Sequence, residues 1–70
     1  MRVNVDLLRG KIIERRTTYE NVADKVGIDR STFYRRLKEQ GINFKIGEIH
    51  SMVEAIPLTN NEAIEIFLAE

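Results

Sequence analysis

Only Gly27-Ile28-Asp29 separates two helical patterns in this chain, and that interruption constrains the fold more than any other feature. Before it, Thr18 is a good N-cap, Glu20 lies in the first turn, and Val22, Ala23 and Val26 share one apolar stripe. Gly27 supplies the left-handed residue that stops such a helix, and Ile28 the apolar residue that follows it. Asp29 reads as the cap of a further helix, Arg30 to about Gln40, with Phe33 and Leu37 on one face and Gly41-Ile42 repeating the stop signal. Helices this short are marginal alone in water, so both must pack on a shared core. So tight a connection makes them meet at a steep angle, with Ala23 the small residue at the crossing and Gly27 the positive-φ residue in the turn.

The remaining segments carry the helical period too, with no alternating strand pattern and no repeat. Val5, Leu8 and Ile12 form a stripe behind an Asn4 cap, ending near Thr17-Thr18. Ile49, Met52, Val53 and Ile56 form another, in a helix that starts at Ile46 or Gly47 and stops at Pro57. Its cap, Lys45, is a poor one, and Phe44 is placed to staple onto Ile49. Thr59-Asn60-Asn61-Glu62 is a capping box that opens a last helix. There, Ala63, Ile64, Phe67 and Leu68 are expected to face inward and Ile66 to be left outside. The expected fold is all-α: five short helices in a single domain, residues 1–70.

Seventy residues can bury one small core, and 43% hydrophobic with 31% charged residues is an ordinary globular balance. The chain has no cysteine, which removes disulfides, thiol nucleophiles and thiolate metal sites. His50, the one histidine, cannot build a metal site or a triad alone and reads as a surface residue. Glu14, Glu54, Glu62 and Glu65 have the spacing of helix surfaces and form no visible acid–base pair. No metal, no cofactor and no enzymatic activity are therefore expected. With no membrane-length apolar run and no secretory signal pattern, the expected location is cytoplasmic. The formal net charge is zero, yet all eleven Lys and Arg lie in residues 1–45 with six acids, a local charge of +5. Residues 46–70 hold five acids and no Lys or Arg, a local charge of −5. Such a split suits an anionic partner for the basic half; two simply solvated halves would read the same way.

On the helix that begins at Arg30, successive side chains turn by about 100°, so Ser31, Arg35 and Lys38 point away from the Phe33–Leu37 stripe. Arg30, Tyr34 and Arg36 flank it, where stems and ring could equally cover the core. Arg15 and Arg16 read as solvated helix-end residues.

The stretch from Tyr19 to Leu37, with Val22 to Ile28 (Val-Ala-Asp-Lys-Val-Gly-Ile) followed by Ser31-Thr32-Phe33, resembles the helix-turn-helix of phage repressor and Cro-like regulators. The motif spans about residues 19–38. The leading helix, the pair and two trailing helices are similar to that family's five-helix, lambda-repressor-like DNA-binding domain over nearly the whole chain. The Ser31 to Leu37 string, Ile46-Gly47-Glu48-Ile49 and Leu58-Thr59 resemble small stand-alone prophage regulators in particular. Two positions depart from the pattern: Arg36 stands where the family usually has an aliphatic residue, and Lys45 where it has a Ser or Thr cap.

The resemblance implies a sequence-specific DNA-binding regulator whose recognition helix, about 30–40, lies in the major groove. Arg30 and Ser31 would meet base edges or phosphates, Tyr34 and Arg35 would read bases, and Thr32 would touch a thymine methyl. Lys38 and Arg36 would hold phosphates, as would Thr18 and Tyr19 at a helix N-terminus. The implied partner is a double-stranded operator bound by a homodimer, joined through Ile66, Phe67 and Leu68. The alternative is an antirepressor that uses the same fold to dock on a phage repressor protein and block its DNA binding; zero net charge and the acidic C-terminal half favour it.

Overall fold

The structure, a computed structural model, describes residues 2–70, which form five helices: α1 Val5–Glu14, α2 Tyr19–Val26, α3 Arg30–Lys38, α4 Ile46–Ala55 and α5 Asn60–Phe67. The start signals act largely as their chemistry dictates. Asn4 Oδ1 accepts from the Leu7 N–H at 3.1 Å, and Thr18 Oγ1 from the Asn21 N–H at 3.1 Å. The Thr59 box is complete: its hydroxyl accepts from the Glu62 N–H, and the Glu62 carboxylate accepts from the Thr59 N–H. Asp29 precedes α3 in an extended conformation, but its side chain makes no capping bond. Lys45 makes none either, and the Glu48 carboxylate takes over half of the task by accepting from the Lys45 N–H at 2.9 Å.

Two glycines set the limits of α2 and α3. Gly27 has φ +89°, and the N–H groups of Gly27 and Ile28 both donate to the Ala23 carbonyl, closing α2. α3 is shorter than its sequence pattern, ending at Lys38, because Gln40 and Gly41 both take positive φ. A Cβ on Gly41 would lie 2.9 Å from a Val3 methyl, so conformation and packing both require glycine there.

Phe33 is fully buried at the centre, among Leu8, Ile12, Val22, Leu37, Met52, Ile56 and Ile66. Phe44 packs its ring on Phe33, with centroids 5.7 Å apart, and Tyr19 meets Phe33 edge-on at 6.0 Å. α2 packs against α3 and α4, while α1 packs against α5. The termini meet in a small antiparallel bridge, Arg2 with Ala69, and the Asn4 N–H donates to the Ile66 carbonyl.

That bridge accompanies a different facing of α5 from the one expected. Ile66 is 0% exposed and Phe67 is buried, whereas Ile64 and Leu68 are 53% and 51% exposed. The inward stripe is therefore Ala63, Ile66 and Phe67, three and four apart, and the helix is rotated by most of one residue step from the expected stripe. Leu68 is already the C-cap, where the chain leaves helical geometry to pair with the N-terminus.

Among the described residues no helix is long and apolar enough to cross a membrane.

Candidate functional site

α3 is fixed from below by Phe33 and Leu37, both buried, and this orients its outer face. Arg30, Ser31, Tyr34, Arg35 and Lys38 line one shallow, open depression on that face. A second depression adjoins it at the N-terminus of α2, lined by Thr17, Thr18, Tyr19, Glu20, Arg30 and Tyr34 with the edge of Ile12. Seven of the nine side chains expected to contact DNA thus share one continuous surface. The other two, Thr32 and Arg36, are half-buried and line neither depression.

Tyr34 is held rather than loose. Its ring, 43% exposed, meets Tyr19 edge-on with centroids 5.2 Å apart, and Tyr19 in turn rests on Phe33. A ladder of three aromatics therefore runs from the core to the surface. Arg35 and Lys38 are exposed, and neither forms an ion pair among the described residues. Arg30 differs: its Nη1 lies 3.2 Å from Glu20 Oε2. Glu20, Asp24 and Asp29 line a third depression with Arg30, giving this edge of the surface an acidic shoulder.

Three other basic residues, Arg36, Arg15 and Lys11, are engaged within the fold. Arg36 is half-buried, paired with the Glu48 carboxylate on α4, and its guanidinium lies 5.8 Å from the centroid of the Phe44 ring. An arginine at this usually aliphatic position ties α3 to α4 and is no free phosphate ligand. The Lys45 N–H and the Arg36 guanidinium together hold the Glu48 carboxyl below its ordinary range. Arg15, expected to be solvated, forms a two-pronged pair with Glu62 on α5 (3.1 and 2.6 Å) and donates to the Pro57 carbonyl. Lys11 joins at 2.9 Å. With Arg15, the Thr59 N–H and Lys11 all around it, the Glu62 carboxyl is held far below the usual carboxylate range. His50 is exposed, as expected, with Nδ1 3.6 Å from Glu54.

A different surface lies between α4 and α5. Ile46, Ile49, Ala63, Ile64, Phe67 and Leu68 line an apolar groove, and Ile46 is 86% exposed. Of the three residues expected at an oligomer interface, Leu68 is exposed here and Phe67 contributes to the wall. Ile66 is buried in the core and cannot touch a partner. Ile46 and Ile64 escaped sequence reasoning: Ile46 looked like the first residue of a helix, and Ile64 like part of the inward stripe.

Among the described residues no group of three or more His, Asp or Glu side chains converges as a metal site would require. Compared with protein-family models, with curated proteins and with solved structures, the chain shows no significant match.

Proposed function

We propose that this chain is a non-enzymatic, sequence-specific DNA-binding regulator of transcription, of phage or prophage type, acting in the cytoplasm of a bacterial host. In this reading α2 and α3 are a helix-turn-helix, and α3 enters the major groove. The observation that carries it is the outer face of α3, where Arg35 and Lys38 stand exposed and unpaired beside Ser31 and a fixed Tyr34. Arg35 sits over the middle of the helix and suits a guanine edge, which a guanidinium can grip with two bonds. Lys38 suits a phosphate, as do the amides at the start of α2 near Thr18 and Tyr19. A single helix of this length covers only half of an operator, so two copies are required. The apolar groove of Ile46, Ile64 and Leu68 is the surface offered for their contact.

The test is fluorescence anisotropy of the folded protein on duplexes drawn from an in vitro selection, at two salt concentrations. Affinity that falls steeply with salt, and a selected sequence bound well above random DNA, are expected. Binding no better than to random duplex overturns the regulator reading.

A second reading, an antirepressor that docks on a phage repressor protein, has its own support. Glu20, Asp24 and Asp29 form an acidic shoulder beside the basic face, and the α4–α5 groove is apolar. That reading expects a folded chain that binds a repressor domain and no DNA of its own.

A further inference from the structure

The surface proposed to meet DNA carries a carboxylate where a simple phosphate-binding surface would carry none. Glu20 lies in the first turn of α2, exposed, with Oε2 3.2 Å from Nη1 of Arg30, the first residue of α3. Asp24 and Asp29 line a depression with Glu20 and Arg30, while Arg35 and Lys38 line the adjoining one that shares Arg30. Arg30 is therefore held toward the acidic shoulder while the other two cations stay free. Resting on the DNA-binding reading, we infer that Glu20 is a specificity-determining residue, an internal anion that keeps Arg30 off the phosphate backbone.

Two physical effects act in the same direction. Binding to arbitrary DNA is driven by cations that neutralise phosphates and release counterions, and an arginine already paired contributes little to it. A carboxylate at the duplex-facing edge also repels phosphates whatever the sequence. In the complex with a preferred sequence, the same pairing is an advantage, because it fixes the direction of the Arg30 guanidinium before a base edge arrives. The pair is exposed and therefore weak, so Arg30 can leave it once the carboxylate is neutralised. Glu20 thus lowers affinity for every sequence, and most for the wrong ones.

The experiment compares wild type, Glu20→Gln, Arg30→Ala and the double variant on a random-sequence duplex pool and on the duplex enriched by in vitro selection. Each titration is repeated across a salt series, and circular dichroism checks that all four proteins are folded. Glu20→Gln is expected to bind the random pool about two- to fivefold more tightly, the range set by an exposed ion pair. Its salt dependence should steepen by about 0.9 in slope, the value of one added phosphate contact. The gain on the selected duplex should be smaller, so discrimination falls. In the Arg30→Ala background the gain should vanish. An equal gain on both duplexes, a gain that survives Arg30→Ala, or no gain at all would overturn the role given to Glu20. Arg35→Ala separates the two levels. If it abolishes binding while Glu20→Gln changes nothing, only the Glu20 inference falls; if wild type binds neither duplex, the DNA reading falls with it.

Discussion

Arg35 and Arg36 are neighbours on the same helix, and their surroundings are opposite. Arg35 is exposed, with no carboxylate partner among the described residues. Arg36 is half-buried against Glu48 and the Phe44 ring. The same contrast runs through the whole basic half of the chain: Lys11 and Arg15 are bound to Glu62, while Lys38 is free. The +5 and −5 halves are thus partly folded onto one another, since Glu48 and Glu62 from the second half pair with Lys11, Arg15 and Arg36 from the first. Net charge along a sequence does not mark a site. Of the cations that form no ion pair among the described residues, Arg35 and Lys38 share the outer face of α3, whereas Arg2, Arg9, Arg16, Lys25 and Lys45 lie outside that helix.

This comparison can be broken in several ways. The largest effect is expected at Arg35: on a selected duplex, Arg35→Ala should weaken binding by about 5- to 150-fold, the value of one arginine–guanine contact, with the melting temperature unchanged. Arg36→Ala should do the reverse. It leaves the Glu48 carboxylate half-buried with one partner fewer and should lower the unfolding free energy by about 1–2 kcal/mol in chemical denaturation. DNA affinity, measured where the variant is still folded, should stay near wild type. If Arg36→Ala lost binding while staying folded, the two arginines would not divide as described.

Acid provides a third test. Glu62 and Glu48 are both depressed from an ordinary value of 4.5. Their contribution is therefore fully present above that pH and is lost as pH falls through the lower folded-state values. Glu62→Gln should flatten the acid limb of the stability curve, read by thermal melts over an acidic pH series, and should lower the neutral melting temperature by a few degrees. Lys11, whose ammonium is raised above 10.5 mainly by Glu62, contributes in the opposite direction, with stability lost only as pH rises past that value. The smallest effect is expected at Lys38. Lys38→Ala should weaken binding to all duplexes alike and reduce the salt slope by about 0.9.

What could be read in the sequence was local. Thr18, Gly27 and the Thr59–Glu62 box act within one helical turn, so residue type and spacing determine them. The outward position of Ser31, Arg35 and Lys38 follows from two buried residues of the same helix, Phe33 and Leu37. What could not be read depends on chain segments far apart. α5 turns Ile66 inward where the two termini pair, and Arg2–Ala69 pairing leaves no helical or alternating signal. Arg15 meets Glu62, Arg36 meets Glu48, and Glu20 meets Arg30 across helix boundaries, where periodicity carries no information. The outer face of α3, proposed to meet DNA, was therefore legible from one helix, whereas the ion pairs beside it and the apolar groove between α4 and α5 became visible only on folding.

The most direct measurement is an amide chemical-shift titration of the isotope-labelled protein with a selected duplex. The account predicts shifts concentrated at Thr18, Tyr19, Arg30, Ser31, Tyr34, Arg35 and Lys38. Shifts confined to the α4–α5 groove around Ile46, Ile64 and Leu68, or no shifts with a folded protein, would contradict it.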